Sequence, residues 1–175
     1  MLLLDKNYFE VLNLPRAFSI DTALLEQHYR DLMAAVHPDR FVTEVPEQRR
    51  LAMQAATLAN EAWRCLRDPV ERAAYLCRLG GQPVDPASRA RVAPDFLAEQ
   101  MAWREALDEA RETTNREAML ALQAQVSQLH SHLIERIRRH IDDEGDFSGA
   151  ASCVSQLMYV ARFAEQIDDV LDGLA

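Results

Sequence analysis

Apolar residues in this chain recur three and four apart, and no stretch alternates apolar and polar residues for long. That spacing places them on one side of an α-helix and denies them a common face on a strand. The clearest run is Met119, Leu122, Val126, Leu129 and Leu133, whose alternating gaps make a bundle seam. Leu25, Tyr29, Leu32 and Val36 repeat the pattern, with Gln27, Arg30, Asp31 and Ala34 on the outer face, and Leu51, Ala55, Leu58 and Ala62 form a third stripe. Gly is scarce, Pro is confined to junctions, and the strong helix formers Ala, Leu, Glu, Gln and Arg are abundant. The expected fold class is all-α.

Local signals set the expected boundaries. A short helix is predicted from Asp5 to Asn13, stopped by Leu14-Pro15. Asp21 can cap the next helix by accepting from its open amides, and Pro38 ends that helix near Val36 because the residue before proline avoids the α conformation. A polar loop from Asp39 through Glu44 leads to a third helix opened by Pro46 or Glu47. Asp68-Pro69 marks a boundary before a short helix over Val70 to Leu79. Two apolar stripes joined by a short loop predict an antiparallel hairpin, with the first helix lying across it. Gly80-Gly81-Gln82-Pro83-Val84-Asp85-Pro86 is the best linker. Three longer helices are expected beyond it, at about Pro94 to Glu112, Arg116 to Ile141 and Gly149 to Leu171. The predicted organisation is a helical domain over 1–79, a linker over 80–93 and a three-helix bundle over 94–175.

Composition removes several functional classes. The 175 residues are 49% hydrophobic and carry a net charge of −9. The charge is uneven: 10 Lys+Arg face 11 Asp+Glu up to Gly80, and 9 face 17 from Gly81 onward. An acidic chain without a long basic stripe is a poor fit to nucleic acid. The acidic second half suits a basic or polar protein partner, or simply a solvated face. Met1-Leu2-Leu3-Leu4 is too short for a signal peptide or anchor, and no apolar run reaches membrane-spanning length. A soluble, cytoplasmic protein without a membrane partner is expected. Cys65, Cys77 and Cys153 are widely spaced and read as ordinary small buried residues; His130 and His132, two apart on a helix, point in different directions; His140 near a helix end can favour the dipole. Neither metal nor cofactor is expected. No Gly-rich phosphate loop, nucleophile elbow or H-E-x-x-H accompanies His37 and Asp39, so no enzyme and no catalytic residue is predicted.

His37-Pro38-Asp39 falls at the turn between two antiparallel helices. Pro38 stiffens the turn, Asp39 offers a carboxylate suited to an arginine on a partner, and the His37 ring is available for contact. Around it stand Tyr8-Phe9-Glu10-Val11-Leu12, Tyr29-Arg30-Asp31-Leu32, Asn60-Glu61-Ala62-Trp63, Leu66-Arg67-Asp68-Pro69 and Arg72-Ala73-Ala74-Tyr75. Together these resemble a J-domain over roughly the first 80 residues. The resemblance implies that the loop docks on an ATP-bound DnaK-like chaperone and accelerates hydrolysis, with His37, Pro38, Asp39, Arg30 and Arg40 as the chaperone-binding residues. The second helix offers Arg30 and His28 against Glu26 and Asp31, so charge steering is expected to be weak and the partner specialised.

In the second half, Phe96, Trp103, Leu107 and Ala110 share one helix face, while Leu97 and Met101 lie more than a quarter-turn away on a ridge with Glu105 and Glu109. On the last helix Val154, Leu157, Ala161 and Ala164 make the seam, and Tyr159 and Phe163 lie far round from it. Apolar residues rimmed by acids form a docking patch if exposed, and part of the core if neighbouring helices cover them; geometry alone leaves both open. The stretch from Asp95-Phe96-Leu97 through Trp103-Arg104-Glu105-Ala106-Leu107-Asp108-Glu109 resembles the start of the C-terminal domain of the HscB family, J-domain co-chaperones of iron–sulfur cluster assembly. The resemblance implies a scaffold-binding surface of Leu97, Met101, Glu105, Glu109 and Tyr159, which holds an IscU-like scaffold and delivers it to an HscA-type chaperone. A monomer or weak dimer is expected. Two alternatives keep the J-domain but make the second half an adaptor for a different client, or a dimerisation bundle.

Overall fold

The computed structural model describes residues 6–41, 45–84 and 94–173, except for the side chains of Pro38, Phe41 and Pro94. The helices are α1 (Tyr8–Val11), α2 (Thr22–Val36), α3 (Pro46–Arg67), α4 (Pro69–Leu79), α5 (Pro94–Glu112), α6 (Arg116–Arg138) and α7 (Phe147–Gly173), with no strand among the described residues. The chain divides into two compact units between Leu76 and Cys77, so the division falls inside α4. The linker reading of 80–93 lies outside the described residues from 85 onward. The described residues from Gly80 to Gln82 complete the turn after α4, with Gly81 N–H donating to the Arg78 carbonyl and Gln82 N–H to that of Cys77.

In the first unit the helix ends are chemically specified. Asn7 and Glu10 cap α1 reciprocally, each side chain bonding the other's amide. Asp21 accepts from Ala23 and Leu24 at the start of α2, and Asp68 accepts from Val70 and Glu71 at the start of α4. α2 stops at Val36, and His37 is extended (ψ 127°) ahead of Pro38. The expected loop begins as a 3₁₀ turn over Pro38–Phe41.

α3 corrects one expectation. Its buried face is Ala52, Ala56, Ala59, Ala62 and Leu66, whereas Leu51 is 37% exposed and Ala55 and Leu58 are half-buried. The helix is therefore rotated from the face that its larger side chains suggest. Alanines let α1 and α2 approach the α3 backbone closely, and the bulk of that core comes from Phe9, Leu12 and Leu25 on those neighbours.

In the second unit α5, α6 and α7 pack as a three-helix bundle. Met119, Leu122, Val126 and Leu133 are buried along α6, continuing to Ile137, and Leu129 is half-buried. α6 passes into a π-type turn over Arg139–Glu144, closed by Gly145 in the left-handed region at φ 65°. A Cβ at Gly80 would run into the ring of Phe147, so within the second unit glycine there leaves room for that ring.

Candidate functional site

Within the first unit, the motif residues separate into two groups. Most are committed to holding helices together. Tyr29 stacks on Trp63 at 5.0 Å and its hydroxyl donates to Asn60 Oδ1 at 2.6 Å, while Trp63 Nε1 donates to Glu26 Oε1 at 2.9 Å. These contacts clamp α2 to α3. Tyr75 stacks on Tyr8 at 4.5 Å and its hydroxyl accepts from the Tyr8 amide, which ties α4 to α1. Arg72 is buried, donates to the Leu66 carbonyl and lies 5.1 Å from the centroid of Phe18. His28 belongs with this group: its Nδ1 lies 2.8 Å from the Leu12 carbonyl, so it fastens α2 to the end of α1 and does not extend a basic outer face.

The second group is the turn itself. His37 and Asp39 are exposed, the Asp39 side chain by 86%. Asp39 N–H donates to His37 Nδ1 at 3.3 Å, which holds the ring beside the turn, with the Asp39 carboxylate 3.6 Å from the same nitrogen. Arg30 is exposed on α2 two turns earlier. Arg40 also reaches this surface, but its Nη1 donates to the Ala34 carbonyl at 2.7 Å and so caps the end of α2.

In the second unit the α5 ridge is open. Phe96, Trp103, Leu107 and Ala110 are buried, whereas Leu97 is 37% and Met101 65% exposed. Four-residue spacing carries the line on to Glu105 and Glu109, both exposed and without an ion pair among the described residues. Tyr159 of α7 is half-buried beside this ridge: it meets Phe96 edge-on at 5.8 Å, stacks on Phe163 at 6.0 Å, and its hydroxyl accepts from Arg104 Nε at 3.3 Å. Phe163, whose spacing left core and surface both open, belongs to the core. It is 2% exposed and stacks on Trp103 at 5.6 Å. The reason is that α7 packs against both α6 and α5, and Phe163 faces the α5 aromatic Trp103. Ala161 and Ala164 of the expected seam are half-buried.

Two further features escape linear spacing. The Arg104–Tyr159 contact joins positions on different helices, so no periodicity announces it. His140 Nδ1 sits 3.0 Å from Glu144 Oε2 and 3.2 Å from Asp146 Oδ2. This set has the composition of metal ligands, with its three donor atoms within 4.8 Å of one another, but its visible work is to close the turn: Asp146 Oδ1 accepts from Gly149 N–H at the start of α7. A Cβ at Gly149 would collide with both Asp146 and His140. Of the thiols, Cys77 and Cys153 are buried as expected, whereas Cys65 departs from that expectation and is half-buried; burial pushes the Cys153 thiol above its ordinary range.

Comparison with known proteins agrees with this division. Residues 7–75 match the family model described as DnaJ domain, and residues 92–168 match the one described as HSCB C-terminal oligomerisation domain. The chain is 38% identical over 174 residues to the Co-chaperone protein HscB homolog of Burkholderia vietnamiensis, covering 99% of each sequence. It is 40% identical over 161 residues to that of Bordetella pertussis, covering 92% of this chain and 94% of the relative. Among solved structures, Chaperone HscB from Vibrio cholerae superposes with a TM-score of 0.86 at 31% identity, covering 97% of this chain and 100% of that one. Human co-chaperone protein HscB gives 0.87 at 26% identity, covering 94% and 81%.

Proposed function

Since this chain belongs to the HscB family of co-chaperones, we propose that its two units divide one task, the first engaging an ATPase chaperone of the DnaK/HscA type and the second carrying an IscU-like scaffold to it. The chain is a J-domain co-chaperone of iron–sulfur cluster assembly. In our reading residues 1–79 stimulate the chaperone's ATPase through His37, Pro38 and Asp39. Arg30 contributes charge from α2, and Arg40 acts mainly by holding the turn's shape through its bond to Ala34. Residues 94–175 bind the scaffold through Leu97, Met101, Glu105, Glu109 and Tyr159. The protein works as a regulator without catalytic groups of its own, in the cytoplasm, as a monomer or weak dimer.

The observation that carries this reading is the exposure of the His37–Asp39 turn, in a unit whose other motif residues are largely engaged in packing. A turn kept clear of the core and stiffened by proline is suited to recognition by another protein. The open apolar ridge of α5, rimmed by exposed acids, supports the second contact in the same way. No helix among the described residues is long and apolar enough to cross a membrane.

The test uses the full chain with a purified DnaK-type chaperone and a purified IscU-like scaffold. The expected result is that the chain alone raises ATP hydrolysis, that it forms a complex with the scaffold, and that the two together raise hydrolysis further. A chain that binds the scaffold but never changes hydrolysis would remove the chaperone assignment. One that stimulates hydrolysis and ignores the scaffold would point to a different client.

A further inference from the structure

Arg104 is exposed on α5, next in sequence to Glu105 and close to Asp108 and Glu109, yet no carboxylate lies within ion-pair distance of it among the described residues. Its observed partner is aromatic. Nε donates to the Tyr159 hydroxyl at 3.3 Å, and the guanidinium carbon lies 5.8 Å from the centroid of the same ring. The remaining sides of that ring are also held: Phe163 stacks against it at an interplanar angle of 8°, and Phe96 meets it edge-on at 85°. Phe163 and Phe96 are buried and fixed by Trp103, the first stacked on it and the second edge-on. Among the described residues, Arg104 is the one exposed side chain that holds this ring.

We propose that Arg104 is a positioning residue of the docking surface: by bonding the Tyr159 hydroxyl it fixes the ring at the edge of the Leu97–Met101 ridge before a partner arrives. This rests on the scaffold-docking reading above. The physical basis is preorganisation. A half-buried tyrosine free at its hydroxyl end must be immobilised when it enters an interface, whereas one already held loses less freedom on binding. Arginine suits the task because its planar guanidinium can bond the hydroxyl through Nε and still lie near the ring, a geometry that a lysine ammonium does not reproduce.

A double-mutant cycle in the full chain tests this, with binding to a purified IscU-like scaffold measured by calorimetry. Arg104→Ala is expected to weaken binding about fivefold, and Tyr159→Phe by a similar factor. In the Tyr159→Phe background Arg104→Ala should then change binding by less than about twofold. Arg104→Lys should recover only part of the loss. Without scaffold, Arg104→Ala should shift the Tyr159 ring resonances in an NMR spectrum of tyrosine-labelled protein while the melting temperature stays near wild type. A fivefold loss that persists undiminished beside Tyr159→Phe would overturn the inference, because Arg104 would then contact the scaffold directly. An inert Arg104→Ala would overturn it as well. Leu97→Ala with Met101→Ala separates the two levels: if that pair abolishes binding while Arg104 is inert, only the positioning role fails; if the pair binds as wild type, the docking reading falls and takes this inference with it.

Discussion

The two candidate surfaces relate to the core in opposite ways. In the first unit the His37–Asp39 turn stands clear of the packed hairpin, and the residues that hold α2 against α3, Tyr29, Asn60 and Trp63, lie elsewhere along those helices. In the second unit the ridge backs directly onto an aromatic tier, and Tyr159 belongs to both: half of it faces the ridge and half rests on Phe163 and Phe96. A surface outside the core can change without cost to the fold. One that shares a side chain with the core cannot be altered at that residue without loosening the bundle.

The largest expected effect tests the core side of this contrast. Phe163→Ala removes the ring between Trp103 and Tyr159 and should cost ~3–5 kcal/mol of stability in denaturant unfolding; a change under ~1 kcal/mol would mean that the aromatic tier does not support the bundle. Next come Asp39→Asn and His37→Gln, each expected to lower chaperone stimulation by about thirtyfold or more, as loss of a central contact does, with thermal melting unchanged. Melting far below wild type would place the turn in the core after all. Third, Leu97→Ala combined with Met101→Ala should leave melting near wild type and weaken scaffold binding by ~1–2 kcal/mol for each residue. Adding Tyr159→Ala should weaken binding again and also lower the melting temperature. If all three positions are equally silent in melting, the overlap between ridge and core is not real.

The smallest effect concerns charge at the end of α6. Arg138 donates to Glu135 at 2.9 Å and also pairs with Asp143, and that hydrogen bond holds the Glu135 carboxyl below its ordinary range. A depressed carboxyl stabilises the fold above its unfolded-state pKa, and that contribution fades as pH falls through the lower folded value. Glu135→Gln should therefore leave acid unfolding slightly less steep, with little change at neutral pH because the pair is exposed to solvent. A large neutral-pH loss would show the pair to be structural.

Where helices begin and end was legible in single residues. Asp21, Pro38 and Pro69 act on their immediate neighbours, so linear order suffices to place α2 and α4 to within a residue or two. The rotation of α3 was not legible, because ranking Leu51 and Leu58 above the alanines ignores how close α1 and α2 come. Phe163 stayed undecided for a related reason: spacing sets it apart from the Val154–Leu157 stripe but cannot tell that a second helix covers that side. The open ridge of Leu97, Met101, Glu105 and Glu109 was drawn correctly by helical spacing, but whether it stays uncovered depends on the packing of three helices. Arg104 and Tyr159, on different helices, meet only once that packing is complete.

The aromatic tier has an optical consequence. The sequence holds two tryptophans, and each lies in a different unit, in a different setting. Trp63 is half-buried, with its indole N–H on a carboxylate and the Arg67 guanidinium 4.7 Å from its ring centroid. Trp103 is buried against Phe163, one ring behind Tyr159. The protein thus carries one tryptophan per unit, and the one beside charge is expected to emit to the red of the one in the apolar stack. Replacing Trp63 with phenylalanine keeps a ring against Tyr29 and leaves Trp103 as the sole emitter, a reporter seated one layer beneath the ridge, where occupancy of the surface can be followed as a change in light without attaching any dye.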